Sequence, residues 1–334
     1  MSKRVLVTGA AGFFGHHLVE HILRTTDWEI VALVRLSTVG DLSRLTDIEC
    51  METEGRRVKL VYHDLKSALH AGIREHLGDV DYVLHIAANS HVDRSIAVPL
   101  EFFADNVMGT VNLLEWVRHY QPNARVINFG TDEVFGPAPD DYDFTEEDRY
   151  RPSNPYAASK AGQIAAGHSY CVTYGLDLIS TYTMNLFGER QNPEKFVPMC
   201  IENALRRHPQ PIHAQLGPDG SVEYVGERHW LHARNAADAL LFLLAHGKKG
   251  EHYNVVGETH LHNDALCRLI NEMLGTEPLM DYVDFHRTRP GHDRRYALDG
   301  SKLAQLGWKP AKSFEASLEK MVRWTVDRRT ASSS

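Results

Sequence analysis

The chain has 334 residues, 43% hydrophobic and 24% charged, enough apolar mass for a large core or for two lobes sharing one. Its 36 basic and 44 acidic side chains leave a net charge of -8, which disfavours nonspecific binding to nucleic acid or to an anionic membrane. Cys50, Cys171, Cys200 and Cys267 are scattered without a C-x-x-C pair, so a reduced, cytoplasmic setting is expected and disulfides are not. The opening "MSKRVLVTGA" runs straight into a glycine turn and does not read as a signal peptide. No run of about 18 apolar residues exists to span a membrane. The 20 histidines invite a metal reading, but there is no H-E-x-x-H, and the adjacent His16 and His17 point to different helix faces. No metal is expected.

Strand-like and helix-like segments alternate along the first half. "RVLVTGA" (4–10) predicts a strand ending in a turn, and residues 13–25 predict a helix with Phe14, Leu18, Ile22 and Leu23 on one face. Apolar runs at 29–35, 58–64, 81–88, 124–131 and 177–183 predict further strands, and 100–120 a long helix. Apolar strands separated by helices predict an α/β fold with a doubly wound parallel sheet, ligands lying at the carboxyl ends of its strands. From about residue 186 the pattern loosens into loop-rich sequence, followed by a helix at 235–247 and a strand at 252–257. We therefore expect a dinucleotide-binding domain over 1–185, with 231–259 returning to it. A smaller α/β substrate lobe is expected over 186–230 and 260–330, and the terminal "TASSS" as a disordered tail.

"TGAAGFFG" sets Gly9, Gly12 and Gly15 between the first strand and the first helix. Glycines there let the backbone approach a pyrophosphate and aim helix N–H groups at it. The second strand ends in Val34-Arg35, where an acidic residue would ordinarily hold the adenosine ribose. An arginine suits a 2′-phosphate, so NADP is favoured over NAD; stacking on adenine or facing water are the alternatives for Arg35. Asp64 and Leu65 end the third strand, where the adenine edge should lie. Asp64 could take the exocyclic amine or cap a helix.

"NPYAASKAG" carries Tyr156 and Lys160 four residues apart, on one face of a helix opened by Pro155. An ammonium beside a phenol favours the phenolate, so the expectation is a lowered tyrosine pKa and a general base for a sugar or alcohol hydroxyl. "GTDEVFG" (130–136) ends a core strand in a hydroxyl and two adjacent carboxylates. Like charges at a ligand-facing strand end are costly unless they serve chemistry.

These stretches, with "HIAANSHVDRS" (85–95), "NVMGTVNLLE" (106–115), "NPEKFVP" (192–198) and "RPGHDRRYAL" (289–298), resemble the extended short-chain dehydrogenases/reductases. The chain is most similar to their nucleotide-sugar 4,6-dehydratases of the dTDP-glucose type. The resemblance implies a lyase that oxidises C4 of the hexose transiently, eliminates water across C5–C6 and returns the hydride to C6. It implies Asp132 as acid at C6, Glu133 as base at C5, Thr131 at the C4 oxygen beside Tyr156, and Lys160 on the nicotinamide ribose. It adds Phe13, Phe14, Ala87 and Ala88 to the cofactor site, and Ser90, Asn185 and Lys195 to the substrate site. Arg228 and Arg289 are candidates for the diphosphate, with Arg294 or Arg295 as further ones. The family's R-D-W is Arg228-His229-Trp230 here, and the segment before it is longer, which leaves nucleobase and hexose open. The apolar stripe of residues 102–117 suggests the family's helix-paired homodimer. Two other readings stand beside this one: an epimerase or decarboxylase using the same C4 oxidation, and a non-catalytic NADP-sensing binding protein.

Overall fold

The computed structural model describes residues 2–35, 40–285 and 295–333. Seven strands form the main sheet: β1 (Arg4–Thr8), β2 (Glu29–Val34), β3 (Val58–Tyr62), β4 (Tyr82–His85), β5 (Arg125–Thr131), β6 (Leu178–Thr183) and, beyond four others in the chain, β11 (His252–Val255). Their order is β11-β6-β5-β4-β1-β2-β3, and every neighbouring pair is parallel. The order reverses at β1, so a crevice opens between the carboxyl ends of β1 and β4.

The strand sequences explain why both faces are covered. Along β1, Val5 and Val7 point to one side and Leu6 to the other, and all three are fully buried. On the first side they pack with Leu18 and Ile22 of the helix Phe13–Thr25 and with Leu240 and Leu243 of the helix Ala233–His246. Leu6 joins Val31, Val83 and Val126 against Leu113 and Val117 of the helix Gly109–Tyr120.

The remaining strands make two small mixed sheets. β7 (Asn185–Phe187), β10 (Glu227–His232) and β12 (Thr259–His262) form one, in the order β12-β10-β7; β8 (Gln210–Leu216), β9 (Val222–Val225) and β13 (Met280–Asp284) form the other, in the order β13-β8-β9. A separate core of Phe187, Ile201, Ile212, Leu266 and Leu318 lies among them. The stretch from residue 186 holds more regular structure than its loop-rich composition predicted: a helix at Phe196–Arg206 as well as these strands.

Three local expectations are corrected. The helix predicted over 100–120 is broken: Pro99–Phe103 is α-helical, Ala104–Met108 is one wide π turn, and α geometry resumes at Gly109. The strands predicted over 81–88 and 252–257 stop early, at His85 and Val255. The terminal segment expected to be disordered continues the helix Phe314–Ser333. Among the described residues no helix is long and apolar enough to cross a membrane.

Candidate active site

A cavity of about 390 Å³ lies over the carboxyl ends of the main sheet. Gly9, Gly12, Phe13, Phe14 and Gly15 line one end of it. Gly9 has φ +67°, and a Cβ there would lie 2.9 Å from Ala87 Cα; a Cβ on Gly15 would lie 2.1 Å from the carbonyl oxygen of Gly9. The turn therefore folds tightly back on the helix start, whose opening N–H groups lack intrahelical acceptors. That cradle fits a pyrophosphate.

Below the turn, the sheet is tied by His85. Its ring spans Thr8 Oγ1 (2.9 Å) and Thr110 Oγ1 (2.8 Å), and Thr8 Oγ1 accepts from the N–H groups of Ile86 and Ala87 (3.0 Å each). Burial lowers His85 to about 3, so it is a neutral connector. Ala87, Ala88 and Ser90 then line the cavity wall beyond β4. No cluster of three or more His, Cys, Asp or Glu residues able to hold a metal occurs among the described residues.

Arg35, Asp64 and Leu65 line the cavity too, with Lys66 and Asp105, which the sequence had not singled out. Arg35 is a paired fork. Its Nη1 donates to Asp105 Oδ1 at 2.7 Å and lies 3.4 Å from both Asp64 oxygens, and its Nη2 lies 3.3 Å from Asp105 Oδ2. Asp64 also accepts from the backbone N–H of Lys66 at 3.0 Å.

At the centre, β5 delivers Thr131 and the turn Asp132–Phe135 follows at once. Gly136 closes it at φ +77°, where a Cβ would sit 2.3 Å from the Arg151 carbonyl oxygen. Thr131 Oγ1 donates to Asp132 Oδ1 at 3.0 Å, and the Tyr156 side chain lines the same cavity. Asp132 Oδ2 is buried without a partner. Burial pushes the Asp132 carboxyl up to about 6, against the pull of the Thr131 hydroxyl and the Arg228 charge. Asn154 opens the helix Pro155–Tyr174: its Oδ1 accepts from Ala157 N–H at 2.9 Å, and its Nδ2 donates to Glu133 Oε2 at 3.3 Å. One cap residue thus ties the carboxylate turn to the tyrosine helix.

Tyr156 and Lys160 both face this cavity, but not with the electrostatics expected of them. Lys160 Nζ donates to the Phe129 carbonyl and to Gln163 Oε1, at 2.6 Å each, and burial lowers it to about 7. Burial, then the charge of Glu133, pushes the Tyr156 phenol well above its ordinary value. The lowered tyrosine is therefore corrected for this state. The i,i+4 spacing put both groups on one face, but a buried ammonium turns to fixed carbonyl dipoles before it stabilises a phenolate.

Asn185 and Lys195 also line the cavity, together with Gln191, Phe196 and Trp230, which were not anticipated. Arg228 is buried beside the site without lining it: its guanidinium stacks 4.3 Å from the Tyr296 ring centroid and donates to the Glu227 carbonyl at 2.6 Å. Arg295 is committed elsewhere, to the Pro139 and Tyr142 carbonyls and to Asp143 and Glu227, so it is no diphosphate ligand. Arg289 and Arg294 lie outside the described residues.

The histidines also hold something that spacing could not reveal. Glu189, at the turn after β7, is buried; its Oε2 accepts from His232 Nε2 at 3.0 Å, and His17 Nε2 meets its backbone carbonyl at 3.0 Å. Lys320 adds a charge 3.1 Å from Oε1. This knot binds the loop between Asn185 and Lys195 to the helix that follows the glycine turn.

A parallel sheet with a glycine-turn crevice, and with Thr131, Tyr156 and Lys160 at its centre, defines a short-chain dehydrogenase/reductase of the extended kind. The GDP-mannose 4,6 dehydratase family model matches residues 6–321. The dTDP-glucose 4,6-dehydratase of Salmonella typhimurium is 37% identical over 96% of this chain and 92% of its own. The solved dTDP-glucose 4,6-dehydratase of Streptomyces venezuelae, with NAD bound, has TM-score 0.86 and 34% identity, covering 98% of each chain. The UDP-glucose 4-epimerase of Thermus thermophilus, in complex with NAD, has TM-score 0.84 at 28% identity, covering 97% of this chain and 99% of its own. This chain belongs to the nucleotide-sugar 4,6-dehydratase family and is a lyase.

Proposed function

We propose that this chain converts a nucleoside-diphosphate hexose, dTDP-glucose being the first to test, into its 4-keto-6-deoxy derivative with NAD held and recycled in the glycine-turn cavity. One observation carries the reading: Thr131, Asp132, Glu133, Tyr156 and Lys160 border one cavity, with the Thr131 hydroxyl donating to Asp132. Epimerases share the fold, but they do not need an acid and a base at neighbouring positions.

Gly9, Gly12, Phe13, Phe14 and Gly15 would hold the pyrophosphate, Ala87 and Ala88 the cavity wall, and Lys160 the nicotinamide ribose. When bound, the nicotinamide would supply a positive charge and a reversible acceptor for the hydride that leaves C4 and ends on C6. That positive charge would favour the Tyr156 phenolate, which would then accept the C4 hydroxyl proton while Thr131 holds that oxygen. The resulting ketone acidifies C5–H; Glu133 removes that proton and returns it to C5 when hydride has been delivered to C6. Asp132, which burial makes a weaker acid than an ordinary aspartate, gives its proton to the C6 oxygen, which leaves as water. Ser90, Asn185 and Lys195 orient the sugar and its diphosphate. Arg228 acts through its field on Asp132, and Arg289 remains the expected diphosphate fork.

The apolar side chains Leu100 and Val172, 84% and 71% exposed, stand on helices that pack together, and they support a homodimer built on that face. Four free cysteines support a cytoplasmic setting.

Incubation with dTDP-, UDP-, GDP- and CDP-hexoses, read by mass spectrometry, tests the reading. The expected product is lighter by one water and gives a 4-keto chromophore in alkali. An isomer of unchanged mass would indicate an epimerase, loss of carbon dioxide a decarboxylase, and bound cofactor with no turnover a binding protein.

A further inference from the structure

Arg35 stands where the sequence pointed to a 2′-phosphate, yet its fork is already occupied. Asp105 takes both of its terminal nitrogens, at 2.7 and 3.3 Å, and its side chain is only 9% exposed against 35% for Arg35. The π turn Ala104–Met108 holds Asp105 in place, because the next residue is locked: Asn106 Oδ1 accepts from Asn89 N–H at 2.7 Å, and Asn106 Nδ2 donates to Ser159 Oγ at 2.8 Å. Asn89 Nδ2 lies 3.3 Å from Asp105 Oδ2. Lys66 Nζ completes the group, 3.6 Å from Asp64 and 3.9 Å from Asp105.

We propose that Asp105 is a cofactor-selectivity residue: by engaging Arg35 it denies a 2′-phosphate its arginine and makes the site prefer NAD to NADP. This rests on the reading that the cavity binds a nicotinamide dinucleotide. Two physical reasons support it. Arg35 and Lys66 face Asp64 and Asp105, so the local formal charge is zero and an incoming dianion meets no net attraction. Drawing Arg35 onto a phosphate would also take from a nearly buried carboxylate its shortest charged partner, leaving it Asn89 at 3.3 Å and Lys66 at 3.9 Å. A neutral 2′-hydroxyl makes neither demand. The arginine that signals NADP in the sequence is thus cancelled by an aspartate 70 positions further along the chain.

The test is a competition read by native mass spectrometry, which reports the nucleotide retained and not turnover. Wild-type protein is equilibrated with equal NAD+ and NADP+. It is expected to retain NAD in at least about tenfold excess, the scale of one bidentate charged pair. Asp105→Asn, folded by circular dichroism, should move that ratio about tenfold or more towards NADP, and adding Arg35→Ala should abolish the gain. If Asp105→Asn does not fold, Asp105→Ser carries the same expectation. NADP retained by the wild type, or an unchanged ratio in the folded variant, overturns the proposal. Retention of neither nucleotide by the wild type overturns the cofactor reading beneath it.

Discussion

Asp132 and Lys160 are the two side chains that burial has moved into the working pH range, in opposite directions. Asp132 binds its proton more tightly than an ordinary aspartate, so it is protonated below about pH 6 and loses its proton above. As the acid of the elimination it should make kcat/KM fall on the alkaline side of about pH 6. Asp132→Asn should remove that limb and lower kcat by about 10²- to 10⁴-fold, measured as water loss across a pH series. Lys160 is the reverse case. Its folded pKa of about 7 lies below the 10.5 of an exposed lysine, so folding carries the full penalty below pH 7 and sheds it as pH rises to 10.5. Lys160→Met should abolish turnover yet raise the melting temperature at pH 6.5, with the gain shrinking towards pH 10.5 in a thermal-shift series. Survival of turnover in that variant would remove Lys160 from the site.

At the scale of elements, the site depends on how three segments are fastened together. Asn154 joins the carboxylate turn to the tyrosine helix, and the Glu189 knot joins the loop before Lys195 to the helix after the glycine turn. Burial lowers His17 and His232, so both are neutral connectors; His232 Nδ1 accepts from the Arg234 N–H at 3.0 Å, which leaves its Nε2–H to donate to Glu189. Glu189→Ala leaves that donor and the Lys320 charge without their acceptor. It should cost about 3 kcal/mol of stability in urea unfolding, with Glu189→Gln costing less because a donor–acceptor contact survives. Equal losses would show that the carboxylate charge matters and not the hydrogen bond. The wide π turn at Ala104–Met108 belongs to the same level: the weak helix formers Asp105, Asn106 and Gly109 ease it, and the Asn106 contacts to Asn89 and Ser159 hold it.

For the whole molecule, the open question is the face that carries Leu100 and Val172. Each is far more exposed than an aliphatic side chain on a packed helix should be, and they lie on neighbouring helices. The double substitution Leu100→Glu, Val172→Glu should turn a dimer into a monomer in light scattering after gel filtration, with little change in helix content. A wild-type monomer would end the dimer reading.

What the residues determined alone was whatever depends on short spacing. Apolar runs separated by helical periods set the parallel sheet. The glycines between β1 and the first helix set the cradle, and Thr131-Asp132-Glu133 and Tyr156/Lys160 came to one cavity because each motif ends a strand or opens a helix at the same edge of that sheet. What the tertiary structure decided was which charged group meets which. Arg35 is claimed by Asp105, Arg295 by Asp143 and Glu227, Arg228 by Tyr296, and Lys160 by the Phe129 carbonyl. Such pairings join residues far apart in the chain, and local sequence constrains direction and burial but not long-range partners. A charge's worth depends on its nearest neighbours and on the water left around it, and folding alone sets both.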